Sequence, residues 1–193
     1  MGTRNLTLVQ QNGQYKVAQY GQFDGYPAGQ GKTVLEFLQT WDRPAFERKV
    51  AAASFMTESD IDAVNEQIKA QGLRDTWTQK WPELSREPAA KILRIIADRP
   101  DGIRLKNTLG FAGDSLMCEW TYVIDLDAGK LEVLKGFNQT PLVEGDRFFA
   151  VPDLEKSSNT AYYAVRKVAE YSLESPPTLE QMQKDCEVQE DES

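Results

Sequence analysis

Two tight-turn signals, each set between strands of period two and separated by more than a hundred residues, constrain the fold most. In the first, Leu6, Leu8 and Gln10 alternate with Thr7 and Val9. Asn12-Gly13 then supplies the dipeptide that tolerates positive φ at both turn positions, and Tyr15, Val17 and Gln19 resume the alternation. That pattern predicts an N-terminal β-hairpin with a type I′ turn. In the second, Trp120, Tyr122, Ile124 and Leu126 alternate with Thr121, Val123 and Asp125, DAGK makes the turn, and Leu131, Val133 and Lys135 lie on the return strand.

Between the hairpins the period changes to that of a helix. Val34, Phe37, Leu38 and Trp41 fall at i, i+3, i+4 and i+7, which predicts a helix from about Lys32. Asp42 is placed to cap a second helix, with Pro44 in its first turn and Phe46, Val50 and Ala53 on its apolar stripe. Thr57 and Asp60 have capping-box spacing ahead of Ile61, Val64 and Ile68, with a stop at Gly72. Trp77 and Trp81, four apart, would share a face if helical, until Pro82. Ala89, Ile92, Leu93 and Ile96 predict a fourth helix ending before Pro100. Residues 161–173 predict a long strand, and Thr178 with Gln181 predicts a capped last helix. Strands at both ends with helices grouped between them describe an α+β fold on a largely antiparallel sheet. Residues 1–173 are expected to form one domain, with 174–193 as a short helix and an acidic tail.

Charge and composition narrow the chemistry. Of the net charge of −8, residues 174–193 carry −6, from seven acids against Lys184. With no basic cluster interleaved with aromatics, the sequence predicts no nucleic-acid partner. No apolar run approaches the ~20 residues of a membrane span, and the start has no signal-peptide core, so the expectation is a soluble cytosolic protein with no membrane partner. There is no histidine. Ser-His-Asp and Cys-His nucleophile systems and histidine-containing zinc sites are excluded, and two cysteines, Cys118 and Cys186, are too few for a thiolate metal site. No metal and no cofactor is expected.

The segment GQGKT, residues 29–33, has the end of a phosphate-binding loop. Counting back from Gly31, however, puts Tyr26 where the first glycine belongs, and Pro27 removes an amide from inside the loop. A nucleotide-binding loop is the weakest of three readings. The polar residues of the N-terminus and the 21–31 loop, namely Arg4, Asn5, Gln22, Asp24, Tyr26 and Gln30, form a candidate recognition set for a small polar or anionic ligand or a protein partner. Asp114 and Glu119, which flank Cys118 just before the second hairpin, form a second candidate group. Against both stands the structural reading, in which such side chains satisfy turn amides and Cys118 is a buried inert thiol.

The stretches MGTRNLT, YKVAQYGQFDGYPAGQG, FAGDSLMCEWTYVIDLD and LEVLKGF together resemble an uncharacterised family of small bacterial, phage and fungal proteins. That family opens with Gly-Thr-Arg and carries a YGQ-aromatic-DGYP loop, and the resemblance covers residues 1–38 and 111–137, with a weaker echo over 165–182. It implies a shared loop pattern, of which the lysine after GQG is not a part, and brings no activity with it. A looser likeness is to the N-terminal-nucleophile hydrolases. It implies a sandwich of antiparallel sheets and an enzyme whose first residue supplies both nucleophile and base, here Thr3 if the chain is processed to it.

Overall fold

The structure is a computed structural model that describes residues 2–72, 81, 84–100 and 102–187. Strands β1 (Asn5–Gln11) and β2 (Gln14–Gly21) form the first hairpin. Asn12 and Gly13 both have positive φ (54° and 71°), as the turn signal requires. A single wide helical turn, Pro27–Gly31, leads into α1 (Lys32–Thr40), then α2 (Arg43–Ala52), the two-residue β3 (Ser54–Phe55) and α3 (Glu58–Ala70). A short 3-10 turn, Ala89–Lys91, opens α4 (Ile92–Asp98), and β4 (Arg104–Leu105) pairs with β3. Strands β5 (Trp120–Asp125) and β6 (Lys130–Lys135) form the second hairpin, followed by β7 (Arg166–Ser172) and α5 (Leu179–Glu187).

The main sheet runs β2-β1-β5-β6-β7. Three of its four pairings are antiparallel, and the two hairpins join through a parallel pairing of β1 with β5, Leu6 opposite Thr121. The α+β class follows, on a mixed sheet that is antiparallel everywhere except at that central seam. Among the described residues the second ladder, β3 with β4, is two residues long. The second stacked sheet implied by the hydrolase likeness is therefore not found among these residues.

One face of the sheet, carrying Val9, Val17, Tyr122, Ile124, Leu131 and Val133, packs against α1, α2, α4 and α5 through Phe37, Phe46, Ile92 and Met182. The other face, carrying Leu6, Leu8, Ala18, Val123 and Leu134, is covered without α-helices by the connectors on either side of the second hairpin, through Ala112 on a 3-10 turn (Leu109–Gly113), Phe148 and Val165. A half-buried antiparallel strand exposes its polar residues. Here both faces are covered, and Thr7, Thr121, Asp125 and Glu132 are buried with the apolar residues.

The caps form largely as the sequence predicts. Asp42 accepts from the Ala45 amide at 3.0 Å, and Thr57 with Asp60 makes the full reciprocal box. Thr178 accepts from the Gln181 amide (3.1 Å), but the Gln181 side chain turns to Asp185 instead, so that box is only half made. The stripe of α3 is half-buried, and no residue of that helix is fully buried. The long strand expected over 161–173 is shortened to Arg166–Ser172. The cause lies in the hydrogen bonds: the Tyr163 and Val165 amides go to the Asn138 and Ala112 carbonyls of the connectors rather than to β6. Trp77 lies outside the described residues. No helix among the described residues is long and apolar enough to cross a membrane.

Candidate functional site

The loop after β2 is held by its own backbone. Asp24 adopts φ 56°, and its carbonyl accepts from the Gln30 amide at 2.8 Å. The Gly29 amide donates to the Tyr26 carbonyl, and a Cβ on Gly29 would fall 2.1 Å from the Asp24 carbonyl oxygen, so only glycine fits there. The loop is also anchored to the core. The Gly25 amide donates to the Thr3 carbonyl (2.9 Å), and the buried Tyr122 hydroxyl donates to the Gly25 carbonyl (2.8 Å). Burial, ahead of all other causes, holds that phenol well above its ordinary pKa, so it stays a donor.

This arrangement answers the phosphate-loop expectation. The Gly29 and Gln30 amides are used inside the loop and Pro27 has none, so they do not cradle an anion. Lys32 pairs with Glu36 on the helix surface (3.7 Å), and the Thr33 hydroxyl turns back to the Gly29 carbonyl.

Gln22, Asp24 and Gln30 line one cavity of about 230 Å³, facing a wall formed by residues 86–91 with Arg86, Glu87 and Lys91. Two bonds join the walls: the Ala90 amide donates to Gln30 Oε1 (3.1 Å), and Arg86 reaches Gln22 Oε1 (3.4 Å), which also accepts from the Tyr20 hydroxyl (2.7 Å). Ala89, also lining the cavity, is held at φ 44°, a left-handed conformation unusual for alanine. It sits over Gly21, where an added Cβ would lie 2.5 Å from Ala89 Cβ and 2.6 Å from Asn5 Oδ1. Backbone strain of this kind persists only where surrounding structure over-determines it.

The remaining sequence candidates lie elsewhere. Arg4 and Glu119 pair with one another where β1 and β5 begin: the Arg4 amide donates to Glu119 Oε1 (3.2 Å), and its Nε lies 3.9 Å from the same oxygen. Asn5 is fully buried, with Nδ2 bonded to the Phe23 carbonyl (3.2 Å) and Oδ1 without a partner. Tyr26 donates to Asp24 Oδ1 (3.3 Å) from an exposed position. The Asp114 carbonyl accepts from the Met117 and Cys118 amides. Burial pushes the Cys118 thiol up to about 12, with Asp114 and Glu119 adding to the rise against a lowering bond from Thr121, so it is no nucleophile near neutral pH. Thr3, which an N-terminal-nucleophile mechanism would need at the chain start, gives its carbonyl to the loop amide of Gly25.

Sequence reasoning missed two groups. The first is the 86–91 wall, whose signal in SREPAAK was a pair of opposite charges set before a proline and two small residues. The second is a cluster of buried charges around Arg147, beside a cavity of about 330 Å³. Arg147 reaches Glu132, Asp125 Oδ2 (2.6 Å), Gln10 Oε1 (2.6 Å) and the Tyr15 hydroxyl (3.3 Å). Lys167 lies 3.6 Å from the other Glu132 oxygen. Burial works against the guanidinium's charge, and the bonds from Glu132 and Asp125 outweigh it, so its affinity for the proton rises. Burial also raises the Tyr15 phenol. Because each charge there is paired, the cluster fastens the 138–165 connector to the sheet. No three His, Cys, Asp or Glu side chains among the described residues are grouped so as to hold a metal ion.

Comparison with models of protein families, with curated proteins and with solved structures finds no match to this chain.

Proposed function

We propose that the chain is a binding module for a small polar or anionic ligand, seated in the cavity between the 21–31 loop and residues 86–91. One observation carries the reading. Asp24, Arg86, Glu87 and Lys91 all line this cavity, and none has an ion-pair partner among the described residues. Around Arg147, by contrast, the charges are matched. Charged groups gathered around a concavity and left unmatched are available to a ligand in a way that a closed network is not.

Support also comes from rigidity. The loop wall is set by the Gly29 and Gln30 amides and by Tyr122, bonds internal to the fold, which lowers the ordering cost of binding. A thermal-shift screen of small polar metabolites tests the reading. A ligand at about one hundred times its Kd adds roughly 2.7 kcal/mol. In a chain of this length that raises the melting temperature by roughly 5–10 °C. The rise is expected to shrink in Lys91→Glu and Gln22→Ala; ligands that stabilise these variants as well as the parent would count against the cavity.

A further inference from the structure

We propose that the ligand of this cavity is a small zwitterion of the free α-amino-acid class, its carboxylate on Arg86 and Lys91 and its ammonium on Asp24. This rests on the reading of the cavity as a binding site and adds the chemistry of the molecule that fills it.

Charge balance supplies the first argument. Two cations and two carboxylates line the cavity, unpaired with one another at ion-pair distance. A phosphate dianion would gain from Arg86 and Lys91 but meet like charge at Asp24 and Glu87, and a simple amine would meet the reverse. A ligand with both charges, separated by its own skeleton, satisfies both.

Hydrogen-bond capacity supplies the second. Gln22 Oε1 is already used by Tyr20 and Arg86, and Gln30 Oε1 by the Ala90 amide, so each amide keeps its nitrogen side as a donor. Gln30 gives one of its two protons to the Phe23 carbonyl. Donors for a carboxylate therefore come from four side chains, while Asp24, with Oδ1 taken by Tyr26, keeps Oδ2 for an ammonium.

Size agrees with this. At about 230 Å³ the cavity holds roughly eight liquid-water volumes, enough for a free amino acid.

The test uses the full chain, ¹⁵N-labelled and titrated by NMR with each common L-amino acid, its deaminated acid, its decarboxylated amine, and inorganic phosphate. Ligands are taken to about 10 mM so that millimolar binding registers. The expected result is that one or a few amino acids shift the amides of Gln22, Asp24, Gln30 and Ala90. Each matched acid and amine should bind roughly 10-fold or more weakly, as the loss of one charge-assisted bond implies. Asp24→Asn keeps a residue that tolerates positive φ, so the loop is retained. It should erase the preference for the amino acid over its deaminated acid, and Lys91→Gln, which leaves Arg86 in place, should reduce the preference over its amine. If phosphate or the deaminated acids bind these amides as tightly as the amino acids, the zwitterion is refuted while the cavity stands as a site. If an amino acid binds but shifts amides elsewhere, or none binds, the inference is refuted, and metabolites of other classes in the thermal screen then decide the cavity separately.

Discussion

Replacing Arg147 with methionine keeps the aliphatic stem and removes the guanidinium. Asp125 and Glu132, whose side chains are 7% and 8% exposed, then lose the cation that both share, and Gln10 and Tyr15 lose a donor. Stranding a buried charge by removing its partner costs about 3–5 kcal/mol. Lys167, which approaches Glu132 but not Asp125, offsets a part of that for one of the two acids. At roughly 2–4 °C per kcal/mol for a chain of this length, Arg147→Met should melt about 6–20 °C below the parent. Thermal and urea denaturation measure this directly. Hydrogen exchange should also show the amides of the 138–165 connector opening ahead of the helical side. The decisive comparison is Arg147→Met combined with Asp125→Asn and Glu132→Gln, which removes the stranded charges and should recover most of the loss. A single variant within about 1 kcal/mol of the parent, the range of an exposed ion pair, would refute the buried clamp. So would a triple variant no better than the single one.

Gly29→Ala would place a Cβ 2.1 Å from the Asp24 carbonyl oxygen, and is expected to unseat the loop. Loss of ligand response with a modest drop in stability, about 1–3 kcal/mol by urea denaturation, would show it. Tyr122→Phe leaves the Gly25 carbonyl without its buried donor and should cost about 1–3 kcal/mol in urea denaturation. Cys118 and Cys186, each pushed up to about 12 by burial, should resist a thiol reagent at pH 8 until the chain unfolds; labelling of the native protein at free-thiol rates would contradict their burial. Bonds from Lys167 and Lys130 hold Glu170 down to about 2 from an ordinary 4.5, so its contribution to stability is complete above about 4.5 and lost as pH falls toward 2. An NMR titration of Glu170 with its midpoint at the ordinary value would disprove those pairings.

Local signals proved legible where a residue's role depends on its immediate neighbours. Asn12-Gly13 demands positive φ, Asp42 and Thr57 each cap an amide three positions further along the chain, and the period of Val34, Phe37 and Leu38 sets the buried face of α1. The polar density of the loop marks it in the sequence, and Gln22, Asp24 and Gln30 line one cavity. The opposite wall was not legible, because Arg86 and Lys91 lie about sixty residues away and only tertiary packing brings them across. The shortened β7 has the same origin: the apolar pattern of 161–165 suits a strand, but the amides of Tyr163 and Val165 are claimed by Asn138 and Ala112, which local propensity does not register. Arg147 was missed because an arginine in a polar connector reads as a surface residue, and its partners are spread over four strands.

The parallel pairing of β1 with β5 bears on how such a chain assembles. Each hairpin closes within its own stretch of about twenty residues and has the means to form on its own in microseconds. The contact between Leu6 and Thr121 has to wait for the ends of a span of more than a hundred residues to meet. Closing so long a span costs little more free energy than a shorter one, but it slows the search. The turn of the second hairpin also grips that of the first, Asp127 taking the Asn12 and Gly13 amides at 2.7 and 2.8 Å. Substitutions at this seam are therefore expected to appear in the folding rate, and substitutions within either hairpin's own turn mainly in its local opening.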